Sequence, residues 1–169
     1  MNDITEPPSQ HEKRLRSAFG SYVTGVTVAT AMSEGGEPVG FTANSFTSVS
    51  LDPALLLICV GKKLTSYAIF STTQNFAINI LGSDQKQLAD RFARFKGKRF
   101  DGIGWKKSAL NSPLLEGSCA WFDCSVLQRI DAGDHDVLIG KIHSFTDHGE
   151  NGLGYFRHQY FSTDRRILT

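Results

Sequence analysis

The chain has 169 residues, 40% hydrophobic and 11% aromatic, with a formal net charge of +1. That length suits one domain with a real core, and the near-neutral balance excludes a nucleic-acid surface built on positive charge. The longest apolar run, residues 54–60, is far too short to cross a bilayer. Cys59, Cys119 and Cys124 lack CxxC or metal-ligand spacing, which reads as reduced thiols of a cytoplasmic protein with no metal site.

Residues 1–10 are polar, contain Pro7-Pro8 and lack the apolar stretch of a signal peptide. They read as a disordered tail ahead of a single domain over 11–169. Leu15, Ala18, Phe19 and Tyr22 recur at helical spacing, so an amphipathic helix is expected over about 11–22, ended by Gly25. Two strands, 26–31 and 37–43, flank Ser33-Glu34-Gly35-Gly36 and form a hairpin. The segment from Gly40 to Pro53 starts as a strand and becomes a run of hydroxyls and amides held by Phe46, Val49 and Leu51. Such a run offers short donors and backbone N–H groups to a flat, polar, phosphorylated ligand. A loop satisfying its own backbone through side-chain turns accounts for the same residues.

Residues 54–60 are continuous Leu, Ile, Val and Cys, the pattern of a strand buried on both faces. Gly61 turns the chain, and Thr65 or Ser66 caps a short helix through Phe70. Phe76, Ile78 and Ile80 alternate in a strand. Ser83-Asp84 then cap a helix whose inner face is Leu88, Phe92 and Phe95. Residues 96–104 are basic, glycine-rich and loop-like. A long strand over 118–130 turns at Asp131-Ala132-Gly133-Asp134 and returns over 136–145. One or two short strands close the chain at 153–156 and 160–161. Six or seven mostly hairpin-connected strands with three helices predict a mainly β protein, an antiparallel Greek-key barrel with peripheral helices.

No nucleophile elbow, HExxH, P-loop or dinucleotide fingerprint is present. Carboxylates fall in turns and on helix surfaces, and no base is placed beside a serine. Of the five histidines, His135 differs, because Gly133-Asp134-His135-Asp136 sets it where a turn enters a strand; turn polarity explains it as well as function does. What remains is chemistry carried by a cofactor, with the protein supplying position and electrostatics.

Several stretches then resemble one known family in order along the chain: Thr24 to Val28, Gly40 to Pro53, Phe76 to Leu81, Leu88 to Phe92, Pro113 to Gly117, Gly133 to Ile142 and Gly154 to Arg157. They are similar to the short flavin reductases with the FMN-binding split-barrel fold, the reductase components of two-component flavin monooxygenases. The resemblance implies a homodimer that oxidises NADH or NADPH, reduces FMN or FAD, and hands the reduced flavin to a separate oxygenase component. It implies a flavin bed of Thr42, Ala43, Asn44, Ser45, Ser48, Val49 and Ser50, with Gly61, Lys63 and Ser66 near the phosphate. Arg91, Phe92, Lys98 and Phe100 match the region closing over the phosphate or adenylate end. His135 becomes the nicotinamide contact, with Tyr155 and Arg157 as further contacts. A non-catalytic flavin module for electron relay or redox sensing, and an oxidase of the pyridoxamine-phosphate type, are the rival readings.

Overall fold

The computed structural model of the chain describes residues 8–163. Its centre is a seven-stranded sheet in the order β3 (Pro38–Ala43), β2 (Thr27–Met32), β6 (Asn75–Ile80), β9 (Ala120–Ala132), β10 (His135–Asp147), β5 (Ala54–Gly61) and β4 (Thr47–Leu51). Every pairing is antiparallel. The two edge strands, β3 and β4, are consecutive in sequence and joined only by residues 44–46. That connection reaches at most about 14 Å, so the sheet must curl until its edges nearly meet. The pairings leave the seam unclosed, as the expected split barrel requires. Ser45, in that connection, is tied to β5, its Oγ accepting from the Cys59 backbone N–H at 3.0 Å.

The core fills the curl. Phe41, Leu56, Ile58, Phe76, Ile78 and Leu138 are each no more than 3% exposed, and burial of a side chain that size contributes roughly 1.5–3 kcal/mol. The short helix α2 (Tyr67–Phe70) plugs one end with Phe70, edge-on to Phe41 at 4.9 Å. Phe76 crosses so close to β10 that a Cβ on Gly140 would stand 2.5 Å from its ring. A second cluster lies outside the sheet, where α3 (Lys86–Arg94) packs Ala89 and Phe92 against Val28, Phe100 and Leu115. The hairpin of β7 (Trp105–Lys107) and β8 (Pro113–Leu115) is pinned to the barrel by buried polar groups. Asn79 donates to the Val28 carbonyl at 3.1 Å and accepts from the Leu115 N–H at 2.8 Å. Asp123 accepts from the Ser108 hydroxyl at 2.7 Å and the Leu110 N–H at 3.0 Å. Finally β1 (Thr24–Gly25), β11 (Leu153–Phe156) and β12 (Gln159–Ser162) form a small separate sheet.

The mainly β class and the three helices agree with expectation; several details do not. Among the described residues twelve strands form rather than six or seven, because β1, β7 and β8 are too short for alternation to show and β4 hides in the hydroxyl-rich run. β5 is not buried on both faces: Leu56, Ile58 and Val60 face the core, while Leu55, Leu57 and Cys59 are half-buried on the outer side. The first helix, α1 (Pro8–Phe19), begins inside the expected tail and stops short of Tyr22. Its apolar face is uncovered, with Phe19 69% exposed. Residues 1–7 of that tail lie outside the described residues. The cap of α3 is Gln85 rather than Ser83-Asp84, and its side chain bridges the Gly82 N–H and the Glu116 carbonyl. Phe95, just past the helix, is exposed rather than inner.

Candidate functional site

The hydroxyl-rich run divides on inspection. Thr42 donates its hydroxyl to the Ala89 carbonyl at 2.6 Å, fastening β3 to α3. Ala43 is buried, and its carbonyl accepts from Thr27 Oγ1 at 2.9 Å. Ser45 is committed to the Cys59 backbone. Three of the expected flavin contacts are therefore scaffold through their side chains, so any ligand contact at Thr42, Ala43 or Ser45 falls to the backbone. Asn44, Ser48 and Val49 are exposed and Ser50 is half-buried; these are the side chains on this edge that face outward.

At the far end of β5 the chain turns through Gly61 and the exposed Lys63 to Ser66. Ser66 is only 5% exposed, and its Oγ finds no hydrogen-bond partner among the described residues. An unsatisfied buried hydroxyl is costly, and Ser66 is among the residues that line a cleft of about 420 Å³. The opposite walls are Gly40, Lys98, Arg99, Phe100 and Trp105. Phe100 meets Trp105 edge-on at 5.8 Å. Arg99 donates to the Gly40 carbonyl at 2.8 Å, and burial pushes its guanidinium down from the ordinary arginine value. A polar donor without a partner, flanking cations and an aromatic wall fit a phosphorylated flavin or its adenylate.

Two residues expected to close over that end are engaged within the chain. Arg91 spends its donors on the carbonyls of Arg99 at 2.7 Å, Asp101 at 2.6 Å and Lys98 at 3.3 Å. These bonds shape the 98–101 loop. Phe92 has no exposed surface and packs edge-on against Phe100 at 5.0 Å, behind the cleft wall. Arg99 and Trp105 line the cleft although the sequence reading passed over both. A basic, glycine-rich loop was the only signal available for them.

His135 stands at the start of β10, directly across from Gly61. Its Nδ1 is 2.7 Å from Asp134 Oδ1, and this hydrogen bond and charge hold the Asp134 carboxyl below the usual carboxylate value. A Cβ on Gly61 would sit 3.3 Å from Nε2, so the missing side chain gives the imidazole its place. Lys62 adds a fastening that the sequence did not announce, bonding Asp131 at 2.7 Å and the Gly133 carbonyl at 2.8 Å. Gly61, Ser66 and His135 are thus brought to one end of β5. Tyr155 and Arg157 are not. Tyr155 packs on Tyr160 at 5.1 Å in the small sheet, and Arg157 reaches the Ser21 hydroxyl at 3.3 Å. Among the described residues, no bond joins either to the His135 hairpin.

Comparison with known proteins matches this arrangement. Residues 19–164 fit the model of the flavin reductase like domain. The reductase component of a flavin-dependent trigonelline monooxygenase from Acinetobacter baylyi is 52% identical over 150 residues, 89% of this chain and 48% of that protein. A stachydrine N-demethylase reductase subunit from Rhizobium meliloti is 47% identical over 95% of this chain and 67% of its own length. The chain thus spans about half the length of the first of these relatives. Among solved structures, nitrilotriacetate monooxygenase component B from Mycobacterium thermoresistibile superposes with a TM-score of 0.90 at 34% identity, covering 96% of this chain and 93% of that one. The NADH:FAD oxidoreductase of Streptomyces globisporus, solved with NAD and FAD fragments, superposes at 0.85 with 32% identity over 99% and 98% of the two chains. With that match over residues 19–164 and these identities, the chain belongs to the family of flavin reductase-like domains.

Proposed function

We propose that this chain is an NAD(P)H-dependent flavin reductase that reduces FMN or FAD and releases the product to a separate flavin-dependent monooxygenase component. The observation that carries the reading is the convergence at the end of β5. Gly61 lies against the imidazole of His135, while five residues on Ser66, whose buried hydroxyl has no partner among the described residues, lines the cleft beside Lys98 and Arg99. Segments assigned separately to flavin and to nicotinamide are neighbours in space.

Flavin and reduced nicotinamide supply the hydride chemistry themselves; the residues here bind and orient. Ser66 and Lys98 hold phosphate oxygens, Asn44 and Ser48 offer polar contacts along the seam, and His135 fixes the nicotinamide from the rim. Positioning of this kind is the principal rate contribution available to such a site. A flavin that must leave calls for modest affinity, which suits an open cleft rather than a closed one.

Exposed apolar side chains on β4, β9 and β10 support a homodimer. Leu51 on β4 is 97% exposed, Phe145 on β10 66% and Leu127 on β9 56%. Apolar side chains gathered this way mark an interface more often than a free surface. Cys59, Cys119 and Cys124 are free thiols, which suits the reducing cytoplasm.

The test is NADH oxidation with excess free FMN or FAD. Multiple turnovers that scale with added flavin support the reductase. Tight flavin retention without turnover supports the electron-relay module instead, and oxygen-dependent consumption of pyridoxamine phosphate supports the oxidase.

A further inference from the structure

The hairpin tip carrying His135 is exposed from Asp131 to His135, and a tip in that condition has little packing to hold it. What holds it is on the far side of the strand. Residues directly opposite in antiparallel strands share a face, so Asp131, Asp136 and Val60 lie on one side and Ala132, His135 and Gly61 on the other. Val60 is 2% exposed and marks its side as the core side. Asp136 accordingly points inward, where its Oδ2 accepts from the hydroxyl of Tyr67 at 2.7 Å. The Tyr67 ring packs against the core on α2, and its neighbour Phe70 is 1% exposed. The phenol is therefore a fixed point. Lys62 completes the fastening, 3.7 Å from Asp136 Oδ1 and 2.7 Å from Asp131 Oδ2, while its backbone N–H donates to the Asp134 carbonyl at 2.9 Å.

We infer that Tyr67 and Asp136 are positioning residues for NAD(P)H: their hydrogen bond clamps the β9–β10 hairpin from behind and sets where the His135 imidazole stands over Gly61. This rests on the reading that His135 meets the nicotinamide. Gly61 limits the imidazole from the front and the clamp limits it from the back. α2 has its own anchor in Phe70, so loosening the clamp frees the hairpin tip while the Ser66 wall of the cleft stays in place. The clamp therefore acts on pyridine nucleotide and not on flavin.

The experiment compares Tyr67→Phe, Asp136→Asn and His135→Ala with the wild-type protein in steady-state NADH oxidation, flavin titration by fluorescence and thermal melting. Tyr67→Phe removes one hydroxyl and should raise the KM for NADH about fivefold, the order expected for one lost hydrogen bond of ordinary strength. Flavin Kd and Tm should stay near wild type. Asp136→Asn keeps an oxygen for the phenol and should recover most of the wild-type KM. NADH deuterated at the transferred position should show a larger isotope effect on kcat/KM in Tyr67→Phe, since a misplaced nicotinamide makes the hydride step more limiting. A KM unchanged in Tyr67→Phe overturns the clamp. So does a KM that rises together with flavin Kd and a fallen Tm, because that pattern is merely structural. If His135→Ala leaves the KM for NADH unchanged, the nicotinamide reading of His135 fails instead, whatever Tyr67→Phe does. No NADH oxidation by the wild-type protein overturns both.

Discussion

Two polar networks each fasten a hairpin to the barrel, and they differ in how much water reaches them. Beneath β7–β8, Asn79, Thr30 and Asp123 have no exposed surface. At the β9–β10 tip, the side chains of Lys62 and Asp131 are 29% and 81% exposed. A polar group sealed from water must have every partner in place, since water offers no substitute when one is lost. A group at the rim exchanges a lost partner for solvent at little cost. The first network is thus a condition of folding, whereas the second is free to serve a position.

The largest effect expected from this difference is at Asn79. Replacement by Leu strands the Leu115 N–H and removes a donor from the Val28 carbonyl. Stability should fall by about 3 kcal/mol, given 1–3 kcal/mol for each stranded buried group. For a domain of this size that is a Tm lower by roughly 6–12 °C. Lys62→Ala should leave the melting curve nearly in place. Calorimetry on both variants checks the pair; equal losses would erase the distinction between the networks.

How far the two networks were visible beforehand follows the same division. Phe76, Ile78 and Ile80, alternating over a few residues, announce β6 without help. So does the Gly133 turn, which the structure places at φ +68. The mainly β class and the neighbourhood of His135 followed from such local patterns and from family resemblance. Tyr67 and Asp136 are 69 positions apart, and no periodicity connects them. Arg91 read as a charge available to a ligand because its acceptors are backbone carbonyls, which carry no residue signature. Phe92 lies on the inner face of its helix, as the apolar spacing of Leu88 and Phe92 implies. Ser45 and Thr42 looked like ligand donors because a hydroxyl spent on a distant carbonyl is indistinguishable in sequence from one left open.

Ser66 sharpens the comparison, because it is sealed like Asn79 yet lacks a partner. If its hydroxyl is reserved for a phosphate, Ser66→Ala should relieve an unsatisfied group in the free protein and remove a donor from the bound one. Tm without flavin should hold or rise slightly. Flavin affinity should fall about tenfold, near 1.4 kcal/mol for a hydrogen bond to a charged oxygen. Fluorescence titration with FMN and with FAD measures this. Unchanged affinity for both would return Ser66 to the scaffold.

The smallest effect concerns pH and belongs to the exposed network alone. The Asp131 carboxyl lies below its ordinary 3.8, chiefly through the hydrogen bond from Lys62. A carboxyl lowered on folding contributes above its unfolded value, and the contribution is lost as pH falls through the folded one. Lys62 lies above 10.5 through its bond to Asp131, and Tyr67 above 10.0 through its bond to Asp136. Groups raised on folding contribute below their unfolded values and lose that contribution as pH climbs through the folded ones. The window between is wide, so the clamp should be intact from about pH 5 to about pH 9. The ratio of NADH KM in Tyr67→Phe to that in the wild type should be constant across it, since titrations common to both proteins cancel. A ratio drifting toward unity inside the window would mean that a group other than these three governs the hairpin.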